Sequence, residues 1–249
     1  MEGMILVLGG TTEGRHLAEA LVAHGIPHVL SLAGRTNSRA GAHTRVGGFG
    51  GVDGLAAHLR EHGVTGVVDA THPFAARMHA NAHAACARTG TPLLRLARPG
   101  WASHPDAARW HWVDGHDEAL AALAPEARVL LTVGRQEAAR YAPHPGPVVV
   151  RVAQASDGWR ATVPERWEVL EARGPFELDA ERALLARVDV LVTKDSGGSF
   201  NEAKLLAARE LGTRVVMVRR PAAPPVDECA RVGEAVAWAL AHSSSSPAT

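Results

Sequence analysis

The sequence predicts an α/β chain of two small domains, each a doubly wound parallel sheet. Three observations predict it. Apolar runs of four or five residues alternate with helix-period segments through both halves of the 249-residue chain, the pattern of strands buried on both faces. A strand, a polar glycine turn and a helix start follow one another at Gly9–Arg15 and again at Lys194–Gly198. Between the halves, residues 97–117 break the alternation with Arg98-Pro99-Gly100 and His104-Pro105-Asp106, and carry Trp101, Trp110 and Trp112, three of the six tryptophans.

In the first half the spacing predicts strands at 4–8, 28–32, 44–46, 66–70 and 92–96, and helices at 13–24, 52–62 and 74–89. The last of these carries seven alanines in sixteen positions, alanine being a strong helix former, with Pro73 near its first turn where proline is tolerated. In the second half strands are expected at 128–133, 147–152, 167–171, 188–193 and 214–218. Helices are expected at 116–123, 135–141, 176–186, 200–211 and 227–242. The resulting architecture is two Rossmann-like domains, 1–100 and 116–249, joined by a linker at 101–115. The tail after Ser243 is small and polar and is expected to fray.

Composition excludes several classes. Lys plus Arg and Asp plus Glu number 26 each, so net charge is zero, which argues against a general nucleic-acid or membrane-surface binder. No run approaches the roughly 18–20 apolar residues of a membrane span, and the first apolar run is too short for a secretory signal. A cytoplasmic location is the default expectation. Cys86 and Cys229 lie far apart without metal-ligand spacing and read as idle thiols. His79 and His83 stand i, i+4 on the alanine-rich helix, but no carboxylate or cysteine is spaced to complete a metal site, and none is expected. There is no G-x-S-x-G elbow, Walker A loop or H-E-x-x-H helix.

Ligands on doubly wound sheets bind beyond the carboxyl ends of the strands, and four strand ends carry unusual residues. Gly9-Gly10-Thr11-Thr12-Glu13-Gly14-Arg15 offers free amides and a helix start to a phosphate, approximating G-x-G-x-x-G without matching it. The second strand leads to Arg35-Thr36, where a dinucleotide fold places an acidic residue for a 2′-hydroxyl or an arginine for a 2′-phosphate. Arg35 there favours NADPH over NADH; the other reading is a solvated loop arginine. A third strand delivers Asp69, Thr71 and His72. His72 either contacts the ligand or transfers a proton, or caps the following helix. In the second half Lys194, Asp195, Ser196, Gly197 and Gly198 end one strand, Arg219 and Arg220 the next, and Gly134-Arg135 another. That basic clustering suits a polycarboxylate or phosphate; the other reading is a coincidence of surface arginines. Only two lysines occur in the chain, Lys194 and Lys204, both in one segment, and lysine is a compact charge well used at phosphates.

Three segments together resemble one family. V-L-G-G-T-T-E-G-R-x-L-A, then D-A-T-H-P-F-A-A-x-M, then T-K-D-S-G-G with N-E-A-K-L-x-A-A-R-E-L and V-x-M-V-R-R-P, are similar in order and spacing to the precorrin-6A reductases of cobalamin biosynthesis, over residues 4–221. The resemblance implies NADPH-dependent reduction of a macrocycle double bond in precorrin-6A, or its cobalt-containing counterpart, to precorrin-6B, with the macrocycle bound in a ligand cleft between the two domains. NADPH would lie on Gly9, Gly10, Thr11, Thr12, Glu13, Gly14 and Arg15, with Arg35, Thr36 and Thr71. The tetrapyrrole carboxylates would meet Arg135, Asp195, Ser196, Gly197, Gly198, Arg219 and Arg220. His72 is placed on the nicotinamide side and Lys194 on the substrate side; either, or a water, could donate the proton. A monomer or small homo-oligomer is expected, with no nucleic-acid or membrane partner. The competing reading is a non-catalytic nucleotide-sensing module, disfavoured by the basic second half. A Tyr-x-x-x-Lys reductase is weakened because the sole tyrosine, Tyr141, has Pro145 four residues on.

Overall fold

The computed structural model describes residues 3–33, 43–198 and 202–243. They form two compact units, 1–99 with 221–249 and 100–220.

In the first unit β1 (Met4–Leu8), β2 (His28–Leu32), β3 (Thr44–Val46), β4 (Val64–Asp69), β5 (Leu93–Leu96) and β12 (Asp227–Cys229) form a parallel sheet in the order β12-β5-β4-β1-β2-β3. Helices α1 (Thr12–Ala23), α2 (Gly51–Glu61), α3 (Ala76–Thr89) and α9 (Val232–Ser243) accompany it. The helices cover both faces, so Ile5, Leu6, Val7, Val67 and Val68 are fully buried. One cluster sets Ile5 and Val7 against Leu17 and Leu21 of α1 and Ala235, Val236 and Ala239 of α9. The other sets Leu6 and Leu8 against Leu55 and Leu59 of α2 and Ala82 and Ala85 of α3. Each fully buried leucine stabilises by about 1.5–3 kcal/mol.

The second unit repeats the plan. β6 (His111–Val113), β7 (Val129–Leu131), β8 (Val148–Val152), β9 (Glu168–Glu171), β10 (Val190–Lys194) and β11 (Arg214–Val218) form a parallel sheet in the order β6-β11-β10-β7-β8-β9. Helices α4 (His116–Ala121), α5 (Arg135–Ala138), α6 (Asp157–Arg160), α7 (Leu178–Leu185) and α8 (Ala203–Leu211) complete it. Both sheets thus have the doubly wound strand order, with the chain reversing direction of travel at β1/β4 and at β7/β10.

The expected domain boundaries are corrected at two places. Residues 101–115 are not a linker: Trp101, Ala107 and Trp110 are buried in the second core, and β6 pairs with β11. Residues 221–249 belong with the first unit rather than the second. There β12 pairs with β5, Arg95 donates to Glu228 at 2.7 Å and to the Pro224 carbonyl at 3.1 Å, and Trp238 of α9 stacks over Gly66, where a Cβ would come within 3.0 Å of it. The helix expected at 227–242 is therefore a short strand followed by a helix. His-Trp-Val and Asp-Glu-Cys are three-residue edge strands without an apolar run, so periodicity cannot register them.

Candidate functional site

In the first unit the reversal point lies between the carboxyl ends of β1 and β4. Gly9 is buried, and a Cβ there would meet Leu30 at 2.6 Å. Gly10 is exposed, with φ +142° and open space where a side chain would stand, so the backbone edge is uncovered. Thr11 is the N-cap of α1. Its hydroxyl accepts from the Gly14 amide at 3.1 Å and donates to the Ala70 carbonyl at 2.9 Å, tying the two strand ends together. Gly14 lets α1 approach β4, since an added Cβ would stand 3.2 Å from that of Ala70. The G-G-T-T-E-G turn therefore supplies close packing, an open backbone edge and a tight helix–strand approach, the three glycine roles of a dinucleotide turn. A cofactor pyrophosphate fits this uncovered edge at the helix start.

The neighbouring side chains divide. Thr12 accepts from Arg15 at 3.3 Å, and Arg15 is exposed. Glu13 is engaged by Arg98, whose guanidinium donates to both carboxylate oxygens at 3.0 and 3.2 Å. Burial works against ionisation of Glu13, but its backbone hydrogen bond and the Arg98 charge outweigh it and hold the carboxyl below the usual range. Arg35 and Thr36 lie outside the described residues.

At the end of β4, Asp69 is 1% exposed and accepts from His79 Nδ1 at 2.6 Å, from the Thr71 hydroxyl at 2.6 Å and from the Thr71 amide at 3.1 Å. Burial raises the Asp69 carboxyl, and the hydrogen bonds and charge of His79 with the Thr71 bonds more than reverse this, leaving it lowered. The pair fixes the turn that presents Thr71 and His72. His72 Nδ1 accepts from the Phe74 amide at 3.2 Å, which puts the proton of a neutral ring on Nε2.

The second unit has the corresponding reversal point between β7 and β10. Thr132 donates through its amide to the Val192 carbonyl at 3.0 Å, joining the strand ends. Gly134 follows with φ +82°, and the Lys194 Nζ lies 3.7 Å from where its Cβ would stand. Burial lowers the Lys194 amine, and the carboxylate of Glu137 opposes that. Gly197 and Gly198 both take positive φ, 63° and 80°, in the turn after β10.

Of the remaining residues expected here, Asp195 is engaged within the unit. It accepts from the Trp101 amide at 2.6 Å, and Arg220 Nε lies 3.5 Å from its carboxylate and donates to its carbonyl at 2.9 Å. Arg219 is exposed and paired with Asp114 at 3.0 Å. Ser196 is buried and Arg135 half-buried; the Arg135 carbonyl accepts from the Trp159 indole at 2.8 Å. Among the described residues, those expected at a site thus gather at two strand edges, one in each unit.

Sequence reasoning did not register four participants. His79 was paired with His83, yet His79 is buried against Asp69 while His83 is exposed. The signal was an apolar helix face carrying a histidine, ten residues after a strand-end aspartate. Arg98 read as turn chemistry. His116 and Tyr141, which share a 2.8 Å hydrogen bond, sit in segments whose sequence offers no cue to their meeting.

Comparison with known proteins agrees with this geometry. The model of the precorrin-6x reductase CbiJ/CobK family matches residues 4–240. A precorrin-6A reductase of Rhodococcus erythropolis is 45% identical over 243 residues, covering 94% of this chain and 96% of that protein. One of Rhodobacter capsulatus is 42% identical over 245 residues, covering 96% of each. A solved structure of a CobK precorrin-6A reductase superposes with a TM-score of 0.89 at 40% identity, covering 98% of both chains. With strand order, glycine turns and full-length similarity in accord, the chain belongs to the precorrin-6x reductase CbiJ/CobK family.

Proposed function

We propose that this protein reduces a double bond of precorrin-6A with NADPH, giving precorrin-6B in cobalamin biosynthesis. The observation that carries the reading is the difference between the two reversal points. The first is an open glycine edge at a helix start, suited to a pyrophosphate; the second is a glycine turn around a half-buried ammonium, suited to carboxylates. A reductase of this family needs a nicotinamide cofactor. NADPH rather than NADH is inferred from Arg35, which follows the second strand in the sequence at the position where a dinucleotide fold carries an arginine for a 2′-phosphate.

When bound, the cofactor supplies a hydride to an electron-poor carbon of the conjugated macrocycle, with one proton taken up at the adjacent carbon. Gly9, Gly10, Thr12 and Arg15 hold the nucleotide. Thr11, Glu13 and Gly14 shape the turn that does so. Thr71 and His72 face the nicotinamide side from a turn braced by Asp69. Lys194 serves the substrate side as the ammonium nearest the turn, and Arg135, Ser196, Gly197, Gly198, Arg219 and Arg220 complete the carboxylate edge, with Asp195 fixing Arg220. The protein acts in the cytoplasm.

The test is turnover with each nicotinamide. Addition of precorrin-6A should oxidise NADPH one-to-one with the change in the macrocycle spectrum, and Arg35→Ala should erase the preference for NADPH over NADH, about 1–3 kcal/mol of charged contact. No oxidation of either nicotinamide, with the metal-free or the cobalt substrate, overturns the reading.

A further inference from the structure

The chain passes between the two units twice, at Pro99–Gly100 and at Arg220–Pro221. The first passage is held at each end by a carboxylate, and each carboxylate stands in one of the two glycine turns. Within the first unit, Arg98 donates to both oxygens of Glu13, the second residue of α1, at 3.0 and 3.2 Å. Within the second, the Trp101 amide donates to the carboxylate of Asp195, the residue after Lys194, at 2.6 Å. The return passage ends on the same residue: Arg220 Nε donates to the Asp195 carbonyl at 2.9 Å.

The segment between the two grips has little slack. The Ala97 amide donates to the Cys229 carbonyl at 2.9 Å, which anchors its start to β12. The Pro99 ring fixes its own φ and disfavours a helical turn at Arg98. At Gly100 a Cβ would stand 2.7 and 2.9 Å from the Asp195 carboxylate oxygens, so the backbone lies against that carboxylate only because the residue is glycine. Trp101 is buried in the second core. Four residues that are stiff in the middle and fixed at both ends transmit a displacement rather than absorb it.

We propose that Arg98–Trp101 is a coupling strap: gripped by Glu13 of the cofactor turn and by Asp195 of the substrate turn, it makes order in one turn depend on order in the other. A ligand that orders one turn then lowers the cost of ordering the second, so each ligand raises the affinity for the other, by the same factor in both directions. The ligands named rest on the proposed reaction, but the first test needs none.

Two substitutions cut the strap at opposite ends. Arg98→Met releases Glu13, and Gly100→Ala drives a methyl into Asp195 while keeping every polar group. In the ligand-free protein, amide hydrogen exchange resolved by NMR should rise several-fold at Asp195 and Ser196 in Arg98→Met, and at Gly14 in Gly100→Ala. Each rise falls on the turn that the substitution does not touch. It should exceed any rise in β8, whose buried amides report global opening. Arg98→Lys, which keeps a charge for Glu13, should restore part of the protection. With ligands, NADP+ has no hydride to give and forms a stable ternary complex with precorrin-6A. Saturating precorrin-6A should lower the wild-type Kd of NADP+ at least about fivefold. Either cut should bring that ratio toward one, and the double variant should lose no more than each single, because the cuts lie in series. Unchanged exchange at the far turn, a ratio of one in a wild type that binds both ligands, or losses that multiply in the double variant overturn the proposal even where turnover is intact. Absence of wild-type turnover, with far-turn exchange as described, overturns the assigned reaction and leaves the coupling of the turns standing.

Discussion

The Thr11 hydroxyl donates to the Ala70 carbonyl at 2.9 Å, bonding the end of β1 to the end of β4. The same oxygen accepts from the Gly14 amide, so one side chain caps α1 and closes the reversal point. Thr11→Val keeps the shape and removes both bonds. It should destabilise the protein by about 1–3 kcal/mol in urea unfolding, and weaken NADPH binding as the turn loosens. Thr11→Ser should recover most of both. Equal stability of the valine and serine variants would show that the hydroxyl ties nothing together.

Asp69 and His79 form a buried pair whose removal leaves a partner stranded. Asp69→Ala should cost about 3–5 kcal/mol, the range for breaking one side of a buried pair. The measurement is the shift in unfolding midpoint at neutral pH. A loss below about 1 kcal/mol would mean the Thr71–His72 turn is braced by something else.

His116 makes stability depend on pH with a definite sign. Its folded value is depressed to about 4 from an ordinary 6.5, so between these the unfolded chain binds more protons. Stability from this group is fully present above 6.5 and is lost as pH falls toward 4, by up to about 3 kcal/mol. Asp69, also depressed, adds losses of the same sign only below the ordinary carboxylate range. His116→Asn should flatten the stability profile between pH 6.5 and 4. An unchanged slope in that variant would assign the acid sensitivity elsewhere.

Much of this was legible in the sequence because buried parallel strands announce themselves. Met-Ile-Leu-Val-Leu, Val-Leu-Val-Thr-Lys and the glycine turns after them locate both reversal points without any long-range information. What escaped depends on contacts between distant residues. The Asp227–Cys229 strand joins β5 across more than 120 positions, and its polar composition resembles a loop. The Glu13–Arg98 and Asp69–His79 pairs turn two expected ligand-facing segments into braced ones; the first spans 85 positions and has no local signal, and the second is marked only by a histidine on a helix face ten residues after the strand-end aspartate.

The central claim is that the two reversal points serve different ligands. Binary dissociation constants of NADPH and of precorrin-6A, measured for Gly10→Val and Lys194→Met, test it directly. Gly10→Val, placing a side chain on the open edge at positive φ, should weaken NADPH by at least about tenfold, ~1.4 kcal/mol, and leave precorrin-6A binding unchanged. Lys194→Met should do the reverse. Both variants weakening the same ligand, or neither discriminating, would contradict the account.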